Sequence, residues 1–287
     1  MGFENKLVLI TGGSSGIGLS CAQLLVEQKA DVWLLARRQA GLDRALDDLL
    51  ARQPAHPERC GAVAADVSDP EELTQAVAKI EKVAGVPDLL INSAGVTRPG
   101  YFHELDLKVF HHLMDVNYFG TVHTVKAVLP GMLARGSGHI VNISSIAGFL
   151  GVFGYTAYGA SKYAVRGFSD ALRAELNPKG IHVSIVFPPD TQTPQLEYEQ
   201  KFKPPELKYL NGYGSVAAPE RVAQDILDGI AKKHYLILPG WDTKLIYWLN
   251  SILGRGVYRL MDWLIARGNS NHAGEQEQEA PQEKSGS

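Results

Sequence analysis

The chain has 287 residues, 45% hydrophobic and 21% charged, the balance of a globular protein with a full core rather than of a fibrous or disordered chain. A formal net charge of -3 supplies no basic field and argues against nucleic acid as a partner. Two cysteines, Cys21 and Cys60, are too few for a disulfide framework and lack metal-ligand spacing, so a reducing, cytoplasmic setting and no metal are expected.

The opening MGFENKLVLI is too short an apolar stretch for a signal peptide or a membrane span. Within it LVLIT (7–11) reads as a buried strand, and Gly12, Gly16 and Gly18 follow at the spacing G-x-x-x-G-x-G. Glycine lets the backbone turn sharply and approach a pyrophosphate with no Cβ in the way, and the following helix start favours negative charge. Any tight strand-to-helix turn could use such glycines; directly behind the first apolar strand they point to a dinucleotide. A helical stretch over 17–28 leads to the strand DVWLLA (31–36). That strand ends on Ala36, where an NAD site usually carries an acid, and Arg37 and Arg38 follow. Two guanidinium groups with no carboxylate suit the 2′-phosphate of NADP(H). Two solvated arginines opening a loop are the competing reading.

Helical stretches over 41–52 and 71–83 flank a third apolar run, GAVAADV (61–67). Ser68 is the expected N-cap of the second of these helices, with Pro70 near its first turn. The runs DLLINSAG (88–95), GHIVNISS (138–145), IHVSIVFPP (181–189) and YLILPG (235–240) continue the alternation. Apolar runs of this length suit strands buried on both faces. The expected architecture is α/β, one doubly wound parallel sheet of the Rossmann kind over residues 1–240. Asp66 and the NSAG stretch (92–95) end the third and fourth strands, where the adenine and ribose should rest.

In YGASK (158–162) Tyr158 and Lys162 stand one helical turn apart, and no other of the 11 tyrosines has a lysine four residues downstream. The pair is either an ordinary surface pair or a tuned acid, a phenol whose ordinary pKa near ~10 is lowered by an adjacent ammonium. Residues 190–214 lack a clean period and carry proline, glycine and aromatics, as a loop covering a substrate would. Residues 241–267 are expected to form an amphipathic helical extension. One apolar stripe runs through Leu245, Leu249, Ile252 and Leu253, a second through Val257, Leu260, Met261, Leu264 and Ile265, with tryptophans and cations beside them. Contact with a membrane surface and packing on the core or a second subunit are the two readings. Residues 268–287 have almost no large apolar side chain and are expected to be a disordered tail.

TGGSSGIG (11–18), NSAG, Asn117 in DVNYFG, ISS (143–145) and YGASK together resemble the short-chain dehydrogenase/reductase family over about residues 5–240. Within that family GVFGYTAYGASKYAVRG (151–167) and FPPDTQTPQ (187–195) look most like the 3-ketodihydrosphingosine reductase branch, whose Pro188-Pro189 replaces the usual Pro-Gly.

The resemblance implies a tuned acid: Tyr158 protonating a ketone oxygen, Lys162 lowering its pKa and holding the nicotinamide ribose, and Ser145 binding the same oxygen, with Ser144 its rival. Asn117 would hold a relay water near the lysine; a polar residue satisfying the backbone is its other reading. For NADP(H) the resemblance implies contacts from Gly12, Ser14, Ser15, Gly16, Ile17 and Gly18 in the turn, and from Arg37, Arg38, Asp66 and Val67 after the second and third strands. Further contacts come from Asn92, Ala94 and Gly95, from Tyr158 and Lys162, and from Pro188, Thr191 and Thr193. The implied activity is NADPH-dependent reduction of a long-chain, lipid-like ketone by a homo-oligomer, peripheral on the cytoplasmic face of a membrane. Another hydrophobic alcohol–ketone pair, such as a steroid or 3-oxoacyl group, is the alternative substrate. A cofactor-binding regulator without catalysis is a further alternative, against which the presence of Ser145, Tyr158 and Lys162 argues.

Overall fold

The computed structural model describes residues 2–205, 207, 216–254, 256, 258 and 259. Seven strands run parallel in one sheet: β1 (Leu7–Thr11), β2 (Asp31–Ala36), β3 (Cys60–Ala64), β4 (Leu89–Asn92), β5 (Gly138–Ile143), β6 (Ile181–Val186) and β7 (Leu236–Ile237). Their order is β3-β2-β1-β4-β5-β6-β7, the doubly wound order expected from the sequence. The crossovers and flanking elements are α1 (Gly16–Glu27), α2 (Gln39–Arg52), α3 (Pro70–Ala84), α4 (Leu107–Leu113), α5 (Gly120–Arg135), α6 (Thr156–Leu176), α7 (Pro194–Glu199), α8 (Pro219–Ala231) and α9 (Trp241–Leu253).

The continuous apolar runs follow from helices covering both faces of the sheet. Along β1 the side chains alternate: Val8 and Ile10 pack with Leu25, Leu42 and Ile226 of α1, α2 and α8. Leu9 points the other way, to Ile80, Val128 and Leu172 of α3, α5 and α6. All three β1 side chains are fully buried, so neither face of the strand can be polar. Each such burial contributes roughly 1.5–3 kcal/mol. Chain order reverses at β1, which has β2 on one side and β4 on the other, and the crevice beyond their carboxyl ends is where ligands of such sheets bind.

α9 does not stand apart from this domain. Ile246 and Tyr247 pack against Phe149 and Phe187, and the Asn250 amide donates to the Phe149 carbonyl at 3.2 Å. The first apolar stripe, Leu245, Leu249, Ile252 and Leu253, faces outward. The second expected stripe and the expected tail (268–287) lie outside the described residues, apart from Tyr258 and Arg259 beside that stripe.

The start of α3 differs from expectation by one residue. Asp69, not Ser68, is the N-cap: its carboxylate accepts from the backbone N–H groups of Glu71 and Glu72 at 2.9 and 3.0 Å, with Pro70 at the first helical position. Ser68 is occupied elsewhere, its hydroxyl donating to Asp66 Oδ1 at 2.7 Å. Asp69→Ala should therefore destabilise the protein by ~0.5–2 kcal/mol, the cost of losing a helix cap. Urea denaturation should show the midpoint lowered with an unchanged slope.

Candidate active site

One cleft of about 710 Å³ opens at the carboxyl ends of β1, β4 and β5, within the ~300–1,000 Å³ typical of small-molecule sites. At one end lies the glycine turn. Gly12 has φ 68°, and a Cβ there would come within 2.7 Å of the Ala94 nitrogen; Gly16 has φ 56°. Both positions thus demand glycine, for conformation and for space. Ser15 precedes α1 without a side-chain cap and no acid lies in the first turn, so the amino end of the helix keeps its positive end toward the cleft. This cradle fits a dinucleotide pyrophosphate. Ser14, Ser15, Gly16 and Ile17 line it as expected.

Gly18 does not line the cleft. A Cβ there would meet the Gly12 carbonyl oxygen at 2.6 Å, so its role is to let α1 pack on the turn. Asn92 is likewise corrected: it is buried in β4, and its amide donates to Asn142 Oδ1 at 2.9 Å. Strand alternation turns it away from the ligand, and the next residues, Ser93, Ala94 and Gly95, line the cleft instead.

Arg37, Arg38, Asp66 and Val67 line the far end. Arg37 Nη1 stands 3.4 Å from Asp66 Oδ2 in an exposed pair. Burial alone would raise the Asp66 carboxyl, but hydrogen bonds from Ser68 and the nearby Arg37 hold it below its ordinary value. With no acid at Ala36, this end is cationic and suits a 2′-phosphate.

The opposite end carries the chemistry. α6 sets Tyr158 and Lys162 one turn apart, with Lys162 Nζ 5.7 Å from the Tyr158 ring centre. Lys162 is only 5% exposed. Its ammonium donates to the Ile143 carbonyl at 3.0 Å, and its own carbonyl accepts from Ser144 Oγ at 3.0 Å. That bond occupies Ser144 in holding α6 to β5. Both serines line the cleft, but it is Ser145 that hydrogen-bonds the Tyr158 phenol.

The expected lowering of the Tyr158 pKa is not what this arrangement gives. Burial raises the phenol, and the carboxylates of Glu199 and Asp190 raise it further, against hydrogen bonds from Ser145 and Gln195. Burial also pulls Lys162 down to about 8, which weakens the charge it could lend the phenol. Tyr158 thus holds its proton firmly, the state a proton donor needs.

Asn117 sits in a π-helical turn, Met114–Phe119, between α4 and α5, a geometry common at functional sites. Its Oδ1 accepts from Val96 N at 2.8 Å, and its Nδ2 donates to Val96 O at 2.9 Å and to Ser161 Oγ at 2.8 Å. It does not line the cleft. Its side chain ties the strand-end backbone to α6, a positioning role that is compatible with the water-holding role the resemblance implies.

Pro188, Thr191 and Thr193 line the cleft beneath the segment after β6. A Cβ on Gly16 would come within 3.0 Å of the Thr193 methyl carbon. Two residues that sequence reasoning missed complete this end. Glu199 accepts a hydrogen bond from the Tyr155 phenol, and Tyr155 packs against Tyr158 with ring centres 5.6 Å apart. Residues 44 apart in sequence meet there; only the Tyr-x-x-Tyr spacing of Tyr155 and Tyr158 hinted at it.

A profile of the short chain dehydrogenase family matches residues 6–203. The chain is 38% identical over 221 residues to 3-ketodihydrosphingosine reductase of Mus musculus, a match covering 77% of this chain and 67% of that one. Among solved structures it is similar to a short-chain dehydrogenase from Streptomyces avermitilis, with 31% identity, a TM-score of 0.75, and coverage of 93% and 99%. It is also similar to ElxO with NADP bound, with 29% identity, a TM-score of 0.69, and coverage of 78% and 90%.

Lys162 yields a pH dependence. In the free protein its pKa of about 8 lies below the ordinary 10.5, whereas an anionic cofactor favours the ammonium. Below pH ~8 both forms carry the proton and NADPH affinity should be flat; above it, binding must take up a proton, and Kd should rise by up to ~10-fold per pH unit. Fluorescence titrations from about pH 7 to about pH 9.5 test this, and Lys162→Met should flatten the profile.

Proposed function

The chain belongs to the short chain dehydrogenase family and is an NADPH-dependent oxidoreductase, and from that premise we propose that it reduces 3-ketodihydrosphingosine to dihydrosphingosine. The observation that carries the substrate is the 38% identity over 221 residues to the mouse reductase of that name. The cofactor, when bound, supplies the hydride.

Tyr158 gives its phenolic proton to the carbonyl oxygen as the carbon receives that hydride. The C=O π bond breaks, C–H and O–H bonds form, and the phenolate left behind is reprotonated from solvent. Ser145 donates to the same oxygen as negative charge develops on it. Lys162, anchored on Ile143, holds a positive charge beside the glycine-lined wall at Gly95, where a Cβ would lie 3.4 Å from its Nζ. Arg37 and Arg38 bind the 2′-phosphate.

A lipid-like ketone also has to reach this cleft. α9 contributes Ile246 to the mouth, and its outer face carries Trp248 at 66% and Ile252 at 67% exposure. Among the described residues no helix is long and apolar enough to cross a membrane. This face docks on the surface of a bilayer, where tryptophan and aliphatic side chains sit at headgroup level. The lipid then enters beside the helix that touches the bilayer. The two free cysteines, Cys21 and Cys60, support a cytoplasmic face for the docked protein.

Two measurements test this reading. Tyr158→Phe should lower turnover of 3-ketodihydrosphingosine by ~10²-fold or more, the scale of a lost general acid, while NADPH titration stays near wild type. Substantial residual turnover would remove Tyr158 from the proton-donor role. In sedimentation with phospholipid vesicles the wild type should pellet. Trp248→Glu with Ile252→Glu, both on the exposed face, should release most of it while leaving NADPH binding intact. A wild type that stays in the supernatant, or a double variant that pellets equally, would overturn membrane docking.

A further inference from the structure

The cleft is electrostatically two-ended. Among the described lining residues, its cations are Arg37 and Arg38 at the far end and Lys162 on the floor, whereas Asp190, Glu199 and Asp242 line the end beyond Tyr158. Lys203 stands behind this acidic end, its side chain wholly buried and its Nζ 3.9 Å from Asp190 Oδ2. Lys203 alone against Asp190 and Glu199 leaves an excess of negative charge facing the substrate end. Glu199 is the most enclosed of the three, at 7% exposure. It is fixed by the Tyr155 phenol, whose ring stacks obliquely on that of Tyr158. Burying a carboxylate beside the reacting group is costly unless something cationic meets it. No step of the ketone reduction uses it.

We propose that Glu199, supported by Asp190, is the receptor for a protonated amine adjacent to the substrate ketone, and so selects α-ammonium ketones over neutral or acidic ones. The inference rests on the reading of the protein as a long-chain ketone reductase and names what that site recognises. The amine of 3-ketodihydrosphingosine is on the carbon next to the carbonyl, so when the carbonyl oxygen meets Tyr158 the ammonium must lie on one side of that phenol. Tyr155 holds Glu199 on one such side. The charges match: the ammonium offsets the two carboxylates that otherwise raise the Tyr158 phenol, so the correct substrate brings the charge that makes its own proton donor more acidic. The same field repels the phosphates of the cofactor, which keeps the dinucleotide at the arginine end. A steroid ketone or a 3-oxoacyl group would leave Lys203, shared with Asp190, as the one cation acting on Glu199 among the described residues.

The test compares two ketones of one chain length with NADPH: the 2-amino-1-hydroxy-3-ketone and the 1-hydroxy-3-ketone that lacks the amine. The wild type should favour the amino ketone in kcat/KM by ~10- to 100-fold, the scale of one charge-assisted hydrogen bond. Glu199→Gln should remove most of that ratio, and Glu199→Asp should keep part of it. If Glu199 serves only to hold Tyr155, the glutamine variant lowers both substrates by the same factor, and the proposal falls. A wild type that reduces both ketones equally well also ends it, while leaving ketone reduction standing. A wild type that reduces neither removes the ketone-reductase reading, and the proposal with it. Should Glu199→Gln fail to bind NADPH, inhibition of the wild type decides: dodecylamine should inhibit at least ~10-fold more strongly than dodecanol, and equal inhibition overturns the ammonium site.

Discussion

The seat of Lys162 is the constraint on which the cleft depends. Its ammonium is bonded to the last carbonyl of β5 and its backbone carbonyl to the next residue, Ser144. Two hydrogen bonds running in opposite directions therefore fix the same turn of α6 to the same strand end. Deeper along the interface Asn142 donates to Ser169 at 2.9 Å and accepts from Asn92 at 2.9 Å. A buried polar chain thus crosses from β4 through β5 into α6. Such networks are costly when incomplete and rigid when satisfied. Tyr158 inherits its position from this lock, so the proton donor is set by the sheet and not by a loop.

Polarity along the cleft follows from a second arrangement. The residues after β2 are cationic and those after β6 are acidic, and the sheet order puts them at opposite ends of one crevice. An elongated anionic molecule has one favourable orientation in such a field. The dinucleotide's direction and the location of the reacting end are then fixed together, before any specific hydrogen bond forms.

What could be read from the sequence was whatever depends on near neighbours. The Gly12–Gly16 turn, the Arg37-Arg38 strand end and the one-turn spacing of Tyr158 and Lys162 are local, and the structure keeps all of them. Ser68 and Asp69 are both good caps, and only the competing bond from Ser68 to Asp66 decides between them. Asn92 and Gly18 lie within genuine motifs, yet strand alternation and helix packing turn them from the ligand to the scaffold. The direction of the Tyr158 shift was not legible, because it follows first from burial of the phenol in the folded cleft and then from Asp190 and Glu199, which reach it from the segment after β6. In α9 the apolar stripe visible in the sequence is the outer one. The inner face, Thr243, Ile246 and Tyr247, is recognisable only from Phe149 and Phe187 across the core.

The segment after β6 also makes the two ends of the cleft unlike in access. Thr193 lies against the glycine turn, Thr191 bridges to Ala217, and the backbone N–H groups of Gln192 and Ala217 bond at 2.9 Å to tie the two stretches together. The chain thus passes as a strap over the region where the pyrophosphate is held, whereas the end near Val152 and Ile246 leads outward. The glycine-turn end of the cleft is therefore roofed by backbone, while the end beside Val152 and Ile246 is walled by side chains alone.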